Sequence, residues 1–319
     1  SYLTAPAEAE PVAVPARGLV IRKPLNSLTR MLSGWVSEAA AGGEERLTYR
    51  DGPVASADRA LGTHLSGELQ RRKHDPRLRL QEARLHFDAG SIPGNGLGAF
   101  SGAALDILVD GGAQDGVGKG SAGGRITVLK GVNDQGVRVD GSVGKSFAYG
   151  AIGGRLIVQG DADSRFCVRL SGADVVLGGE LRGPVDDSLG MLAARANAKG
   201  FAFEYMTAGR VVVLGDPGPW ICSGMTGGVV YLRHNPALGL DDEALKRRLA
   251  KGANVKVLRL GERGVADVRD LLGDYHATLV ANEQPEAARR VAELLVDPAA
   301  HFRAVIPANQ QVDPDIATE

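Results

Sequence analysis

The chain has 319 residues, few cysteines, few aromatics, almost no net charge and no long apolar run. Each shortage excludes something. Two cysteines, Cys167 and Cys222, cannot build a disulfide framework. Nor can they hold an iron–sulfur cluster, which takes three or four thiolates. Both read as small core residues, and a cytoplasmic location is the expectation. No run of about 18 apolar residues occurs, so no membrane span is expected. The N-terminal residues also lack the apolar segment of a secretory signal. A net charge of −1 gives no electrostatic footprint for nucleic acid. Aromatics are only 5% of the residues, yet 44% hydrophobic content suffices for a large core.

Recognisable chemistry is scarce too. The six histidines (His64, His74, His86, His234, His276 and His301) show no metal-ligand spacing and no H-E-x-x-H. No G-x-S-x-G elbow occurs. Gly118-Lys-Gly-Ser-Ala-Gly123 matches a dinucleotide fingerprint as a string. It leads into Arg125-Ile-Thr-Val-Leu129, which reads as a strand, whereas a pyrophosphate needs a helix N-terminus there. Gly144-Lys-Ser146 resembles the end of a P-loop, but Val139 stands where its first glycine belongs. Asp161, Asp163, Asp186 and Asp187 come nearest to a row of carboxylates, and they read as solvated loop charges. The expectation is therefore no catalytic, cofactor-binding or metal-ligating residue on this chain.

What the chain has in abundance is glycine, 44 residues, and it is patterned. Three segments carry Gly-x-x-Gly-Gly before a short β-branched run. They are Gly120-Ser-Ala-Gly123-Gly124, Gly150-Ala-Ile-Gly153-Gly154 and Gly224-Met-Thr-Gly227-Gly228. Gly209 ends a degenerate copy, and Gly172 and Gly102 precede weaker ones. Successive copies lie 22, 30, 18, 37 and 19 residues apart. A minimal unit near 18 residues with insertions is the mark of a stacked coil. Glycine suits its corners because it reaches positive φ without a Cβ clash. Six rungs would stand roughly 24 Å tall at the usual strand spacing. The competing reading is a set of hairpins with Gly-Gly turns.

Residues 1–17 read as a flexible, Ala/Pro/Glu-rich N-terminal arm and 18–83 as a helical lead-in. Within that lead-in, helices are expected over 26–41 and 58–72. Residues 84–233 form the coil, starting from an alternating strand over 78–87. An insertion spans 181–199, with a short helix from Met191. Residues 234–319 read as a C-terminal helical cap and tail, with stripes at Leu245/Leu249, Val268/Leu271/Leu272 and Ala288/Val291/Leu294/Leu295.

Several runs together resemble one family. They are Tyr149 to Ala173, Glu204 to Gly215, Ser223 to Gly228, the lead-in Ala57 to Glu68, and Val117 to Ile126. The chain resembles, over roughly residues 45–305, the C-terminal GXGXG domain of the glutamate synthase large subunit. That resemblance implies a mainly β fold, a right-handed parallel β-helix with flanking helices. It implies no active site on this chain and a structural role, with Gly120, Gly123, Gly124, Gly150, Gly153, Gly154, Gly172, Gly209, Gly224, Gly227 and Gly228 shaping turns. As a separate polypeptide, the chain is expected to scaffold a glutaminase-type amidotransferase subunit and an FMN-binding synthase subunit in a hetero-oligomer. FMN and an iron–sulfur cluster would sit on a partner, and the product would be glutamate or N-methylglutamate. The alternative is the β-helical C-type subunit of a formylmethanofuran dehydrogenase or formyltransferase/hydrolase complex. The sequence departs from the pattern at Ala208, where glycine is usual, in the long 181–199 insertion, and in the first 45 residues.

Overall fold

The computed structural model describes residues 25–72, 80–189 and 192–310. The N-terminal arm, the start of the alternating 78–87 run, Met191 and the end of the tail lie outside the described residues. Helix α1 (Ser27–Gly42) opens the fold. The Asn26 side chain accepts from Thr29 N at 2.7 Å, which satisfies one of the free N–H groups of the first turn. Leu32, Val36, Ala39 and Ala40 bury one helix face. Helix α2 (Thr63–Arg72) follows, shorter than the 58–72 expected. Ala60 and Gly62 both have positive φ, 53° and 86°, so the chain cannot be helical before Thr63.

Eight strands then stack in parallel: β1 (Arg46–Asp51), β2 (Glu82–Ser91), β3 (Leu105–Gly111), β4 (Ala122–Leu129), β7 (Gly153–Val158), β8 (Ser171–Leu177), β9 (Ala208–Val213) and β10 (Val229–Arg233). Two strands at the far end run antiparallel, β12 (Phe302–Pro307) beside β10 and β11 (Val255–Arg259) beside β12. The result is a mixed ten-stranded sheet, and with helix and strand in about equal share the described fold is mixed rather than the mainly β one expected. A small antiparallel pair, β5 (Gly131–Val132) with β6 (Arg138–Val139), fills the longer gap between β4 and β7. The strands after the Gly-x-x-Gly-Gly stamps are members of the parallel stack, so those stamps are not hairpin turns. Three strands lie in segments that patterning assigned to helix: β1 in the lead-in, and β11 and β12 in the cap. Strands of five or six residues leave too short a period to be told from helix turns.

The remaining helices are α3 (Leu192–Arg195), α4 (Asp242–Arg248), α5 (Glu262–Ala281), α6 (Pro285–Val296) and α7 (Pro298–His301). The sheet separates two apolar layers. On the inner side, Ile107, Ile126, Leu156, Val175, Val211 and Val230 pack in one cluster that continues into α1, α2 and α4. On the outer side, Leu129, Ile157, Val176, Val212 and Tyr231 meet Val268, Leu271, Leu272, Tyr275 and Leu279 of α5. Strands buried on both faces explain the continuous Val/Ile/Leu runs of the sequence. No helix among the described residues is long and apolar enough to cross a membrane.

Candidate functional site

Opposite the sheet, six five-residue segments stack on one another. They are Gly96–Phe100, Gly116–Gly120, Ser146–Gly150, Arg165–Arg169, Phe201–Tyr205 and Trp220–Gly224. In each, the first, third and fifth residues have φ between 54° and 84°. Seven of these positions are glycine and eleven are not. The backbone N–H groups alternate in direction. The middle residue donates to the preceding segment, as Ala148 N does to Val117 O (2.8 Å) and Cys167 N to Phe147 O (2.9 Å). The fifth donates to the next, as Gly120 N does to Tyr149 O (2.8 Å) and Arg169 N to Glu204 O (2.7 Å). The left-handed residues thus form a hydrogen-bonded ladder, which offsets a cost of about 1–2 kcal/mol for each one carrying a Cβ. The second and third residues of each segment face the interior. Phe147 and Phe166 stack at 5.3 Å between centroids, and Phe166 meets Phe203 edge-on at 6.0 Å.

The predicted turn glycines take two places in this scheme. Gly120, Gly150 and Gly224 end ladder segments, with φ of 62° to 64°. Gly124, Gly154, Gly209 and Gly228 stand where the chain enters the sheet, with φ of 76° to 101°, and Gly172 has φ 152°. A Cβ at Gly124 would collide with the carbonyl oxygens of Leu105 and Gly102. Gly123, Gly153 and Gly227 lack positive φ and are needed for close approach. A Cβ there would press on the backbone of Ala103, Ala122 and Thr207 respectively. The stamp therefore marks the exit from a ladder segment, and the alternation itself escaped sequence reading because eleven of its eighteen positions carry side chains.

The arginine after three of these glycines has a second role. Arg125, Arg155 and Arg210 lie in register with Asp106 and Asp174 across β3, β4, β7, β8 and β9. Helix α5 answers with Asp267, Asp270 and Asp274, one turn apart on one face. Arg125 donates to both oxygens of Asp274 (3.1 and 2.8 Å), and Arg155 to Asp270 (3.1 Å). Arg210 holds Asp174, Asp267 and Asp270 (2.6–2.9 Å), and Tyr231 donates to Asp267 (2.6 Å). Bonding to Asp174, partly opposed by burial, raises the Arg210 pKa above its already high value. Beside this clamp a cleft of about 640 Å³ opens between the sheet and the start of α5, bordered by Gly172, Gly209, Gly228, Arg210, Arg259 and Arg263.

The cysteines are buried, and the aspartates singled out in the sequence are hydrogen-bonded within the chain. Cys167 and Cys222 are buried, and burial pushes both thiols up, away from the reactive thiolate. Asp161 accepts from Arg182 and from Asn197 (2.7 Å). Asp163 binds the Ser164 N–H (2.6 Å), and Asp186 binds Ser188 through both backbone N–H and hydroxyl. Asp187 and Asp216 grip the buried Arg248 guanidinium at 2.7–3.0 Å, anchoring α4 to the insertion. Gly118–Gly123 leads into β4, as its context indicated. The large side chains exposed along the outward edge of the ladder are aromatic or cationic. Phe201 stacks on Trp220 at 5.0 Å, Arg169 lies over Tyr205 at 5.8 Å, and Phe100 covers Gly120. Phe100, Tyr205 and Trp220 are 63%, 54% and 51% exposed.

The family model described as "GXGXG motif" matches residues 36–307. Gly116-Val-Gly-Lys-Gly120 is a literal copy of that motif on a ladder segment. The chain is 30% identical over 261 residues to "Glutamate synthase [NADPH] large chain" of Bacillus subtilis (strain 168), covering 80% of this chain and 15% of that protein. It is 32% identical over 221 residues to "Ferredoxin-dependent glutamate synthase" of Cyanidium caldarium, covering 66% and 13%. It is 34% identical over 184 residues to the same-named protein of Pyropia yezoensis, covering 56% and 10%. The chain thus spans less than a sixth of the length of these relatives. With its glycines on the ladder and its matched region running from α1 to β12, the chain belongs to the GXGXG family and is homologous to part of the glutamate synthase large chain.

Proposed function

We propose that the chain is a non-catalytic scaffold of a glutamate-synthase-like assembly, wound as a right-handed parallel β-helix. The winding is supported by hydrogen bonding between successive segments on three sides. These are the parallel sheet, the left-handed ladder, and the bridges Ala113–Val143–Ala162–Ala198. A strand returning in parallel to the same sheet does so right-handedly in nearly all cases. The observation that carries the scaffold reading is a contrast. The candidate acids are hydrogen-bonded within the chain, while aromatic rings and cations stand exposed on a hydrogen-bonded ladder. Such anchors mark protein interfaces more often than active sites.

In this reading, one partner is a glutaminase-type amidotransferase and the other an FMN-binding synthase that also holds the iron–sulfur cluster. The family relationship supports that choice, because the relatives bear the name glutamate synthase and are far longer than this chain. The scaffold keeps ammonia release and ammonia use in register. Purification of the chain from its source cells, followed by mass spectrometry of the intact assembly, tests this. Both partners should accompany it in fixed ratio. Recovery of the chain alone, or with amidohydrolase-type partners, overturns the reading.

A further inference from the structure

On the outer sheet face, His86 and Asp88 of β2 and Asp110 of β3 bring one ligand atom each within 4.8 Å of one another. His86 Nε2 lies 2.7 Å from Asp110 Oδ2 and 3.7 Å from Asp88 Oδ1. Strands β2 and β3 pair in register from Ala83 to Phe87, and the register then shifts before Ser91. Bulges of this kind re-aim side chains. Here the bulge begins at Asp88, which stands on the same side of β2 as His86.

Two features call for a cation. First, two carboxylates sit on adjacent strands around a single imidazole, and like charges side by side across a sheet destabilise it. Second, Asp110 already faces the imidazole, but the compensation at Asp88 is weak. Arg50 donates to Asp88 at 2.8 Å from a side chain that is 66% exposed, and an exposed pair contributes little. We propose that His86, Asp88 and Asp110 bind one divalent transition-metal ion, of which Zn²⁺ is the best fit.

One nitrogen and two carboxylate oxygens suit Zn²⁺, whose bonds to them run about 2.0–2.2 Å. Tetrahedral ligand atoms then lie about 3.4 Å apart, so the 2.7 Å contact opens by about 0.7 Å and the 3.7 Å contact closes by about 0.3 Å. Two carboxylates neutralise the ion's charge. Arg50 moves to the outer Asp88 oxygen or swings into solvent. Three protein ligands leave the fourth position to water, and the ion ties the second strand of the stack to the third. Sequence spacing could not reveal the site. Asp110 lies far from His86 along the chain, and only the β2–β3 pairing brings it near.

Isothermal titration of the full chain with Zn²⁺ tests the proposal. One ion per chain should bind, and His86→Ala and Asp110→Asn should each weaken it by at least about tenfold. Ca²⁺, which gains nothing from an imidazole, should bind far more weakly. Thermal melts without metal check that the variants fold. Co²⁺ in the unaltered chain should show the visible absorption of a tetrahedral nitrogen/oxygen site. The proposal is overturned by the absence of one-to-one Zn²⁺ binding, by equal affinity in a folded His86→Ala variant, or by an octahedral Co²⁺ spectrum.

Discussion

Arg248 is the most consequential single side chain to perturb. It is fully buried at the C-terminal end of α4, and its guanidinium makes four bonds of 2.7–3.0 Å, two to Asp216 and two to Asp187. Asp216 is 5% exposed and also accepts the Gly218 N–H at 2.9 Å. Asp187 retains Arg247 at 2.9 Å. Arg248→Met keeps an unbranched stem about as long as the arginine's aliphatic part and removes the guanidinium with its charge. Asp216 is then left buried without its cation, which costs about 3–5 kcal/mol. Asp187 adds less, because Arg247 stays. Urea unfolding followed by circular dichroism reads the loss as a fall in midpoint at unchanged slope. Adding Asp216→Asn should recover a large part of it, since the uncompensated charge is what costs. The hydrogen bonds from Arg248 also hold the Asp187 carboxyl below its ordinary value of 3.8. A depressed carboxylate stabilises the fold above its unfolded pKa, and that contribution is lost as pH falls through the folded value. Below about pH 3.8 the wild type should therefore lose stability more steeply than Arg248→Met. A loss under about 1 kcal/mol, or no recovery with Asp216→Asn, would refute the claim that this cluster locks α4 to the insertion.

Three further outcomes are expected. Gly124→Ala should destabilise more than Gly150→Ala, because both have positive φ but only Gly124 also meets backbone, whereas nothing lies within 4 Å of Gly150. Chemical denaturation should give about 1–2 kcal/mol for Gly150→Ala from the backbone alone, and equal losses would deny any close approach at Gly124. Burial raises the pKa of Asp106, with Arg125 opposing it, so its charge opposes folding above its folded pKa and not below its unfolded value of 3.8. Asp106→Asn should raise the melting temperature at pH 7 and leave it unchanged at pH 3; a lowered value at pH 7 would count against this. Trp220→Ala should leave the unfolding midpoint nearly unchanged yet weaken capture of partner subunits by about tenfold or more. Unaltered capture in a quantitative co-purification would remove the ladder edge from the interface.

Helix α1 and the stripes that became α5 and α6 were legible because their apolar positions recur with helical period over one to two turns. The glycine stamps were legible because a missing Cβ is written directly in the sequence. The ladder was only half legible. Phe100, Arg165, Arg169, Phe201, Tyr205 and Trp220 hold the same left-handed backbone as Gly116 or Gly150. Nothing in those residue types announces it, since hydrogen bonds to neighbouring segments impose the conformation. The arginine clamp was hidden for another reason. Arg125, Arg155 and Arg210 could be seen to follow glycines, but their partners Asp267, Asp270 and Asp274 are distant in sequence.

Composition and glycine spacing by themselves determined a repeat of short strands entered through glycine, with no recognisable catalytic motif, because a φ that disfavours Cβ and a rung near 18 residues are local requirements. Pairing between segments far apart in the chain was decided only by the tertiary structure. It set the parallel register, turned the stack's last strands antiparallel, buried Arg248 between two carboxylates and brought His86 to Asp110. Those are contacts between distant residues, and their free energy exists only once the strands have paired.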